Sequence, residues 1–255
     1  MEHHIRLHAV TAAIVVALGG AVSLVTSTAV AARAYTDRGR QAAREEQTIT
    51  VKGSTRQRIM SDRAVWEIEV NGRGPTLRDA FDVLSKGTDR VRRFLDEMGF
   101  EDSEFELDAI DTCTHHARDA KGNETREVAE YELEREFTIT TATVERVHRS
   151  AGRVTELIQE GVHVISYSPS YYYSKLPQLK IDLMAAASAD ARLRAEKIAA
   201  STGCSLGELR QARMGVLQIT RPLSTEVSGY GMYDTSTIEK DIRAVVTATF
   251  GIVGG

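Results

Sequence analysis

From Thr48 onward, apolar and polar residues fall into blocks whose spacing predicts one element each. Thr48–Ile59 predicts a strand, with Ile49 and Val51 on one side and Thr48, Thr50 and Lys52 on the other. Arg63–Gly72 predicts a second, in which Ala64, Trp66, Ile68 and Val70 alternate with Glu67, Glu69 and Asn71. Beyond the breaker Gly72–Pro75, Thr76 caps a helix carrying Leu77, Phe81, Leu84, Val91, Phe94, Leu95 and Met98 at helical spacing, with Gly99 as its stop. A long hairpin follows, its arms Glu104–His115 and Glu124–Thr141 flanking the polar turn 119–123. The second arm sets Tyr131, Leu133, Phe137 and Ile139 against Glu130, Glu132, Glu134 and Glu136. Val144, Val147, Val154, Leu157 and Ile158 mark another amphipathic helix ended by Gly161, and Val162–Ser174 predicts a Tyr-rich strand. Leu179–Thr202 is an Ala-rich helix closed by Gly203, whose small side chains suit close approach to a sheet. The strands Leu209–Thr220 and Ile238–Val253 complete the chain, joined by the loop Pro222–Thr237. Hairpin-linked strands with helices between them predict an α+β fold with largely antiparallel sheet, over residues 48–255 and without an internal linker.

Ahead of these elements, Ala9–Ala32 runs for 24 residues without a charge. As a helix rising about 1.5 Å per residue it would cross a hydrocarbon core of roughly 30 Å. Residues 1–34 therefore predict a membrane anchor or a signal segment, with Ala29-Val30-Ala31 as a cleavage site in the second case. The length favours an uncleaved, single-pass anchor that holds the protein to the membrane through residues 9–32. A charged, Ala-rich stalk over 35–47 would follow. Arg33, Arg38, Arg40 and Arg44 behind the segment outnumber Arg6 before it, which by the positive-inside rule favours a cytoplasmic C-terminus.

The formal charge of −4 lacks the basic footprint of a nucleic-acid binder. Two distant cysteines, Cys113 and Cys204, are too few for a disulfide scaffold and form no CxxC. They are expected either to pair after export or to sit apart as small hydrophobes. No glycine-rich phosphate loop, GxSxG elbow or HExxH pair is present, so no enzyme class, catalytic residue or cofactor is expected.

Three sets of residues carry candidate chemistry. Asp111, Cys113 and His115 share one strand face and could converge on a metal, although the polar end of an exposed hairpin has the same composition. Glu130, Glu132, Glu134 and Glu136 form a ladder that is either a solvated face paired with Arg and Lys of a neighbouring strand or a surface that meets a partner. Tyr167, Tyr171 and Tyr173 share strand parity and suit an interface.

Val51-Lys52-Gly53, followed by Ser61-Asp62, Ala64 and Trp66, resembles the opening pattern of the bacterial SIMPL-domain family, a domain of unknown function. The similarity resumes at Tyr171–Leu176 and continues through Ala186, Ala191, Ala195, Ala199 and Gly203 to Leu206-Gly207, Ala212 and Gly215-Val216. It closes on Lys240–Thr247. The resemblance implies an exported, often membrane-anchored periplasmic domain, with relatives that form ring-like homo-oligomers and are linked to envelope and oxidative stress. It carries no catalytic residues across, and it is weakest over Asp108–Asn123. Export, against the charge asymmetry of the stalk, is the orientation expected. The leading expectation is a non-catalytic envelope protein that acts by homo-oligomeric assembly or binding. The alternative is a periplasmic module that binds a small molecule or a metal, released after signal cleavage or anchored.

Overall fold

The computed structural model describes Thr36 and residues 47–254. The expected anchor and nearly all of the stalk lie outside the described residues. Among the described residues no helix is long and apolar enough to cross a membrane. The fold is α+β, with largely antiparallel sheets and, among the described residues from 47 onward, three α-helices, α1 (Leu77–Glu97), α2 (Val144–Arg153) and α3 (Leu176–Ser201). The described residues divide into two compact units, one built from Ser54–Ala187 and Gly215–Val245, the other from residues 47–53, Ser188–Met214 and residues 246–254. Three of the four boundaries fall within continuous elements, which is why no linker composition marks them in the sequence.

The larger unit is organised around β2 (Arg63–Gly74). Along one edge it pairs antiparallel with β5 (Glu124–Thr141) over eleven positions, from Ala64↔Thr141 to Gly74↔Tyr131. Along the other it pairs with β6 (His163–Ser166) and then β7 (Ser170–Tyr172). The far edge of β5 carries β3 (Phe105–Leu107) and β4 (Asp111–Arg118). Helix α1, α2 and the 3-10 turns of Val154–Glu160 cover one face, and the core between the layers gathers Trp66, Ile68, Val70, Leu84, Val91 and Phe137. Trp66 is fully buried, and its indole N–H donates to Ser166 Oγ at 3.0 Å, which satisfies the one polar atom the ring brings inside.

The start of α1 follows from local chemistry. Thr76 Oγ1 accepts from the Asp79 backbone N–H and satisfies one of the donors left open in the first turn. Leu77 and Phe81, expected on the buried face, are about half exposed, and Ala80, Gly87 and Thr88 take the core side instead. The reason lies in β2, where Gly72 and Gly74 let the helix settle directly on the strand. A Cβ on Gly72 would stand 2.4 Å from Ala80 O and 2.5 Å from Leu84 N. Only small residues fit the first turns of that contact, so the larger Leu77 and Phe81 turn outward.

Three expected strands are interrupted. The first hairpin arm divides into β3 and β4, with a break at residues 108–110. Val162–Ser174 divides into β6 and β7, and Leu209–Thr220 into β8 (Ser205–Met214) and β9 (Gln218–Thr220). In each case the halves pair with different stretches of a longer neighbour, which periodicity along one chain does not register. The loop Pro222–Thr237 contains a short strand, β10 (Met232–Tyr233), paired parallel to β9.

In the larger unit, the first half of β11 (Glu239–Val253) pairs antiparallel with β9. Its neighbours Lys240 and Asp241 are both buried, breaking the expected alternation. Successive strand residues point to opposite faces, so each charge has its own set of partners. Lys240 donates to Thr237 O and stands 3.5 Å from Asp234, whereas Asp241 accepts from Arg56 and Arg58 of β1 (Thr48–Met60). In the smaller unit, β8 pairs with the second half of β11, and Ala191 and Ala195 of α3 pack with Val51, Ala248 and Phe250. The buried positions of α3, Leu179, Leu183, Ala187, Ala191, Ala195 and Ala199, follow a four-residue ridge. Gly53 is a buried residue inside β1.

Gly72→Ala is expected to lower stability by about 3 kcal/mol, because the added methyl meets backbone atoms that cannot swing aside. Gly152→Ala, in α2 with open space around its Cβ, should instead raise stability by about 0.5–1 kcal/mol. Urea titrations of the two variants would check both signs, and equal effects would rule out the close-approach account.

Candidate interaction surface

The face of the β2–β5 sheet that the helices leave open is strongly acidic. Glu67 and Glu69 of β2 lie beside Glu132, Glu134 and Glu136 of β5, and the register sets Glu69 directly opposite Glu136. Like charges so placed repel across the strands. The two are not equally provided for. Glu69 accepts from Tyr167 Oη at 2.7 Å and from Asn71 Nδ2 at 2.9 Å. Among the described residues Glu136 has only Thr138 Oγ1, at 3.4 Å. Partial burial and the charges of Glu67, Asp108 and Glu69 accordingly push the Glu136 carboxyl above its ordinary value. Burial, Glu69, Glu132 and Asp111 do the same to Glu134. The hydrogen bond to Glu69 raises the Tyr167 phenol.

Glu132 behaves differently from the rest of the ladder. It is buried, 6% exposed, and its two oxygens are taken by Arg73 Nη2 at 2.6 Å and His115 Nε2 at 2.6 Å. Burial alone would raise its carboxyl, but the bonds from His115 and Arg73 and the guanidinium charge outweigh burial and hold it below the usual carboxylate range. The ladder is thus neither uniformly solvated nor uniformly free. One rung is a buried carboxylate paired with two half-exposed cations, two are partly buried carboxylates beside other acids, and Glu130 stays outermost, 3.5 Å from Arg73.

Asp111, Cys113 and His115 do lie along β4, opposite Glu134, Glu132 and Glu130 in the register. They do not converge. His115 turns diagonally to Glu132, Asp111 stands near Glu134 and adds to its repulsion, and Cys113 is exposed. Among the described residues no group of three or more His, Cys, Asp or Glu side chains could hold a metal ion. Cys113 and Cys204 are both free.

The tyrosine set is also separated. Tyr171 is in the core at 4% exposure, its hydroxyl 3.2 Å from His148 Nδ1, while Tyr167 is exposed beside Glu69 and Tyr173 is half-buried. The break between β6 and β7 resets the strand phase, so shared parity does not produce a shared face. Tyr171 is therefore a packing residue and not part of an open surface.

Beyond Tyr131, β5 pairs with β4 alone. Residues 124–130 and their β4 partners form a two-stranded ribbon with no buried side chain, closed by a turn in which Asp119 accepts from the backbone of Lys121 and Asn123. The other edge of β4 meets no strand among the described residues. Two register shifts, after His115 and after His116, twist it locally. Arg73 and the open β4 edge were not evident from the sequence. The Arg in an otherwise alternating β2 was the available signal for the first, and only pairing reveals the second.

Glu136→Gln is expected to raise stability at neutral pH by about 0.5 kcal/mol through relief of the burial of a charge and of the repulsion from Glu67, Asp108 and Glu69. The native Glu136 binds its proton more tightly than the unfolded chain does, so stability falls as pH rises through the window between the ordinary and the raised value. The gain from the substitution should fade as pH drops through that window. Glu132→Gln should cost about 1 kcal/mol at neutral pH, allowing for the half-exposed partners. Its native carboxyl is depressed, so that loss should persist down to the ordinary carboxylate value and vanish below it. Urea midpoints from pH 3 to 8 test both, and parallel curves for the wild type and either variant would contradict these assignments.

Ser61-Asp62, the stretch from Tyr171 to Ser174 and the approach to β11 meet at one corner of the larger unit. Asp62 accepts from the Ser174 backbone N–H and Oγ, both at 2.7 Å, while the Ser61 N–H donates to Ile238 O and the Tyr171 N–H to Thr235 O. Their shared task is to close the β1–β2 turn against β7 and the approach to β11. No curated protein matches the chain. The family model described as SIMPL, protein of unknown function (DUF541), matches residues 49–250. With that match over most of its length, the chain belongs to the SIMPL family.

Proposed function

We propose that this SIMPL-family protein is a non-catalytic component of the cell envelope, anchored through residues 9–32, whose extracytoplasmic domain works by homo-oligomeric assembly. The observation that carries the proposal is the β4–β5 ribbon. An isolated two-stranded ribbon is marginally stable in water, and an uncovered strand edge is a template for pairing with another chain. The ribbon here stands beyond the end of β2, exposes both faces and leaves β4 unpaired on its outer side. The strained carboxylates Glu134 and Glu136 beside it favour a partner that brings positive charge or donors. The uncharged stretch Ala9–Ala32 supports the membrane part of the proposal.

Native mass measurement of the full chain in mild detergent, followed by the denatured mass, tests assembly and anchoring separately. The expected result is a multiple of one chain that retains residues 1–34. Replacing residues 117–125 by Asn-Gly, which removes the ribbon tip and leaves the β2–β5 pairing in place, should reduce the particle to one chain. A wild-type particle of one chain at micromolar concentration would overturn the assembly proposal, and a denatured mass lacking the first 31 residues would overturn the anchor.

A further inference from the structure

Strands β1, β9 and β11 and the loop after β9 enclose a cavity of about 350 Å³ in the larger unit. Its floor is the carboxylate of Asp241, 6% exposed, which accepts from Arg56, from Arg58 Nε at 3.1 Å and from the Leu223 backbone N–H at 3.3 Å. The bonds from Arg58 and Arg56 hold this carboxyl down to about 2, so it stays ionised and keeps both guanidiniums in place. The loop wall is held as firmly. Gln218 spans it, donating to Ser228 O at 2.7 Å and accepting from the Ser228 N–H at 3.3 Å. Leu223, at φ 63, is the one non-glycine residue with positive φ among the described residues. A leucine kept in that conformation by a hydrogen bond to a buried carboxylate marks a loop shaped for something other than its own comfort.

Arg56 and Arg243 line the cavity together with the carboxylates of Asp241 and Glu226. Asp241 is shared between Arg56 and Arg58, and Glu226 stands 3.9 Å from Arg221, outside the lining. Arg243, exposed on the cavity wall, forms no side-chain hydrogen bond or ion pair among the described residues. Around these guanidiniums the lining is hydroxylic, with Thr55, Thr220 and Thr225 among it. The volume equals that of about a dozen waters at about 30 Å³ each, far more than a bare phosphate or carboxylate fills, and it falls within the usual small-molecule range of about 300–1,000 Å³.

We propose that this cavity binds a small polyhydroxylated anion, of the class of uronates and sugar phosphates, with its acidic group on Arg56 and Arg243 and its hydroxyls on the threonines. Guanidiniums take carboxylate or phosphate oxygens in paired hydrogen bonds, and threonine hydroxyls both donate to and accept from sugar hydroxyls. The site stands on β1, β9 and β11, and its occupancy does not depend on assembly through the ribbon.

Calorimetric titration of the full chain in detergent with galacturonate, glucose 6-phosphate, galactose and inorganic phosphate tests the proposal. At least one of the two charged sugars should bind with submillimolar Kd, and galactose and inorganic phosphate at least about tenfold more weakly, the loss expected for one charge-assisted bond or its equivalent. Which charged sugar binds distinguishes a carboxylate from a phosphate as the acidic group. Arg243→Gln should weaken binding by about tenfold or more, and Thr225→Val should weaken it by a smaller factor, with thermal unfolding unchanged in both. No binding of either charged sugar at 10 mM would overturn the proposal. So would inorganic phosphate binding as tightly as the sugars, or an Arg243→Gln variant with wild-type affinity and a wild-type unfolding curve.

Discussion

The inner face of β2 is the constraint on which the larger unit depends. Ala64, Trp66, Ile68 and Val70 are fully buried, and the strand then continues as Gly72 and Gly74, where side chains would collide with α1. Burying residues such as Ile68 and Val70 contributes about 1.5–3 kcal/mol each. That contribution requires helices on one side and continuous strand pairing on both edges. The glycines decide how near the helix comes, and so which of its residues face inward. The outward turn of Leu77 and Phe81 is a consequence of that distance, not of their own preference.

With one face of the sheet committed to the helices, its opposite face carries the polar chemistry. Pairing of β2 with β5 places carboxylates from both strands side by side, and the protein answers with three different arrangements. Glu69 is supplied with donors by Tyr167 and Asn71, Glu132 is paired with Arg73 and His115, and Glu134 and Glu136 remain partly buried and repelled by neighbouring acids, chiefly Glu69 and Glu67 respectively. Unrelieved repulsion beside an unpaired strand edge is a cost that a partner could remove, and this is the physical content of the assembly proposal. The same arrangement turns His115 to Glu132 and away from Asp111 and Cys113.

The SIMPL-family segments act as joints. Asp62 ties the β1–β2 turn to Ser174, and Lys240 and Asp241 send adjacent buried charges to opposite faces of β11. Burying a charge is tolerated only when its hydrogen-bonding capacity is met, and both side chains have their partners. The Lys240 contacts with Asp234 and Thr237 hold the approach to β11, whereas the Asp241 contacts shape a cavity. One short motif thus stabilises the fold and fixes the arginines of a polar pocket.

The sequence by itself determined the α+β class, the limits of β2, α1 and β5 to within about two residues, and the inward positions of β2. These follow from strict alternation and helical spacing, which are local properties of the chain. The cap at Thr76 and the polar turn at 119–123 were legible for the same reason. Only the tertiary structure decided which strands break and where, since β3, β4, β6 and β7 take their ends from the long strands they pair with. It also decided the parallel pairing of β10, the burial of Tyr171 and Glu132, and the convergence of Arg56, Arg58 and Asp241 from positions nearly two hundred residues apart. Those outcomes depend on cross-strand register and on the distance between layers. A side chain becomes a core residue, an ion pair or the wall of a site according to what the neighbouring strand places opposite it, and that information is absent from the periodicity of its own segment.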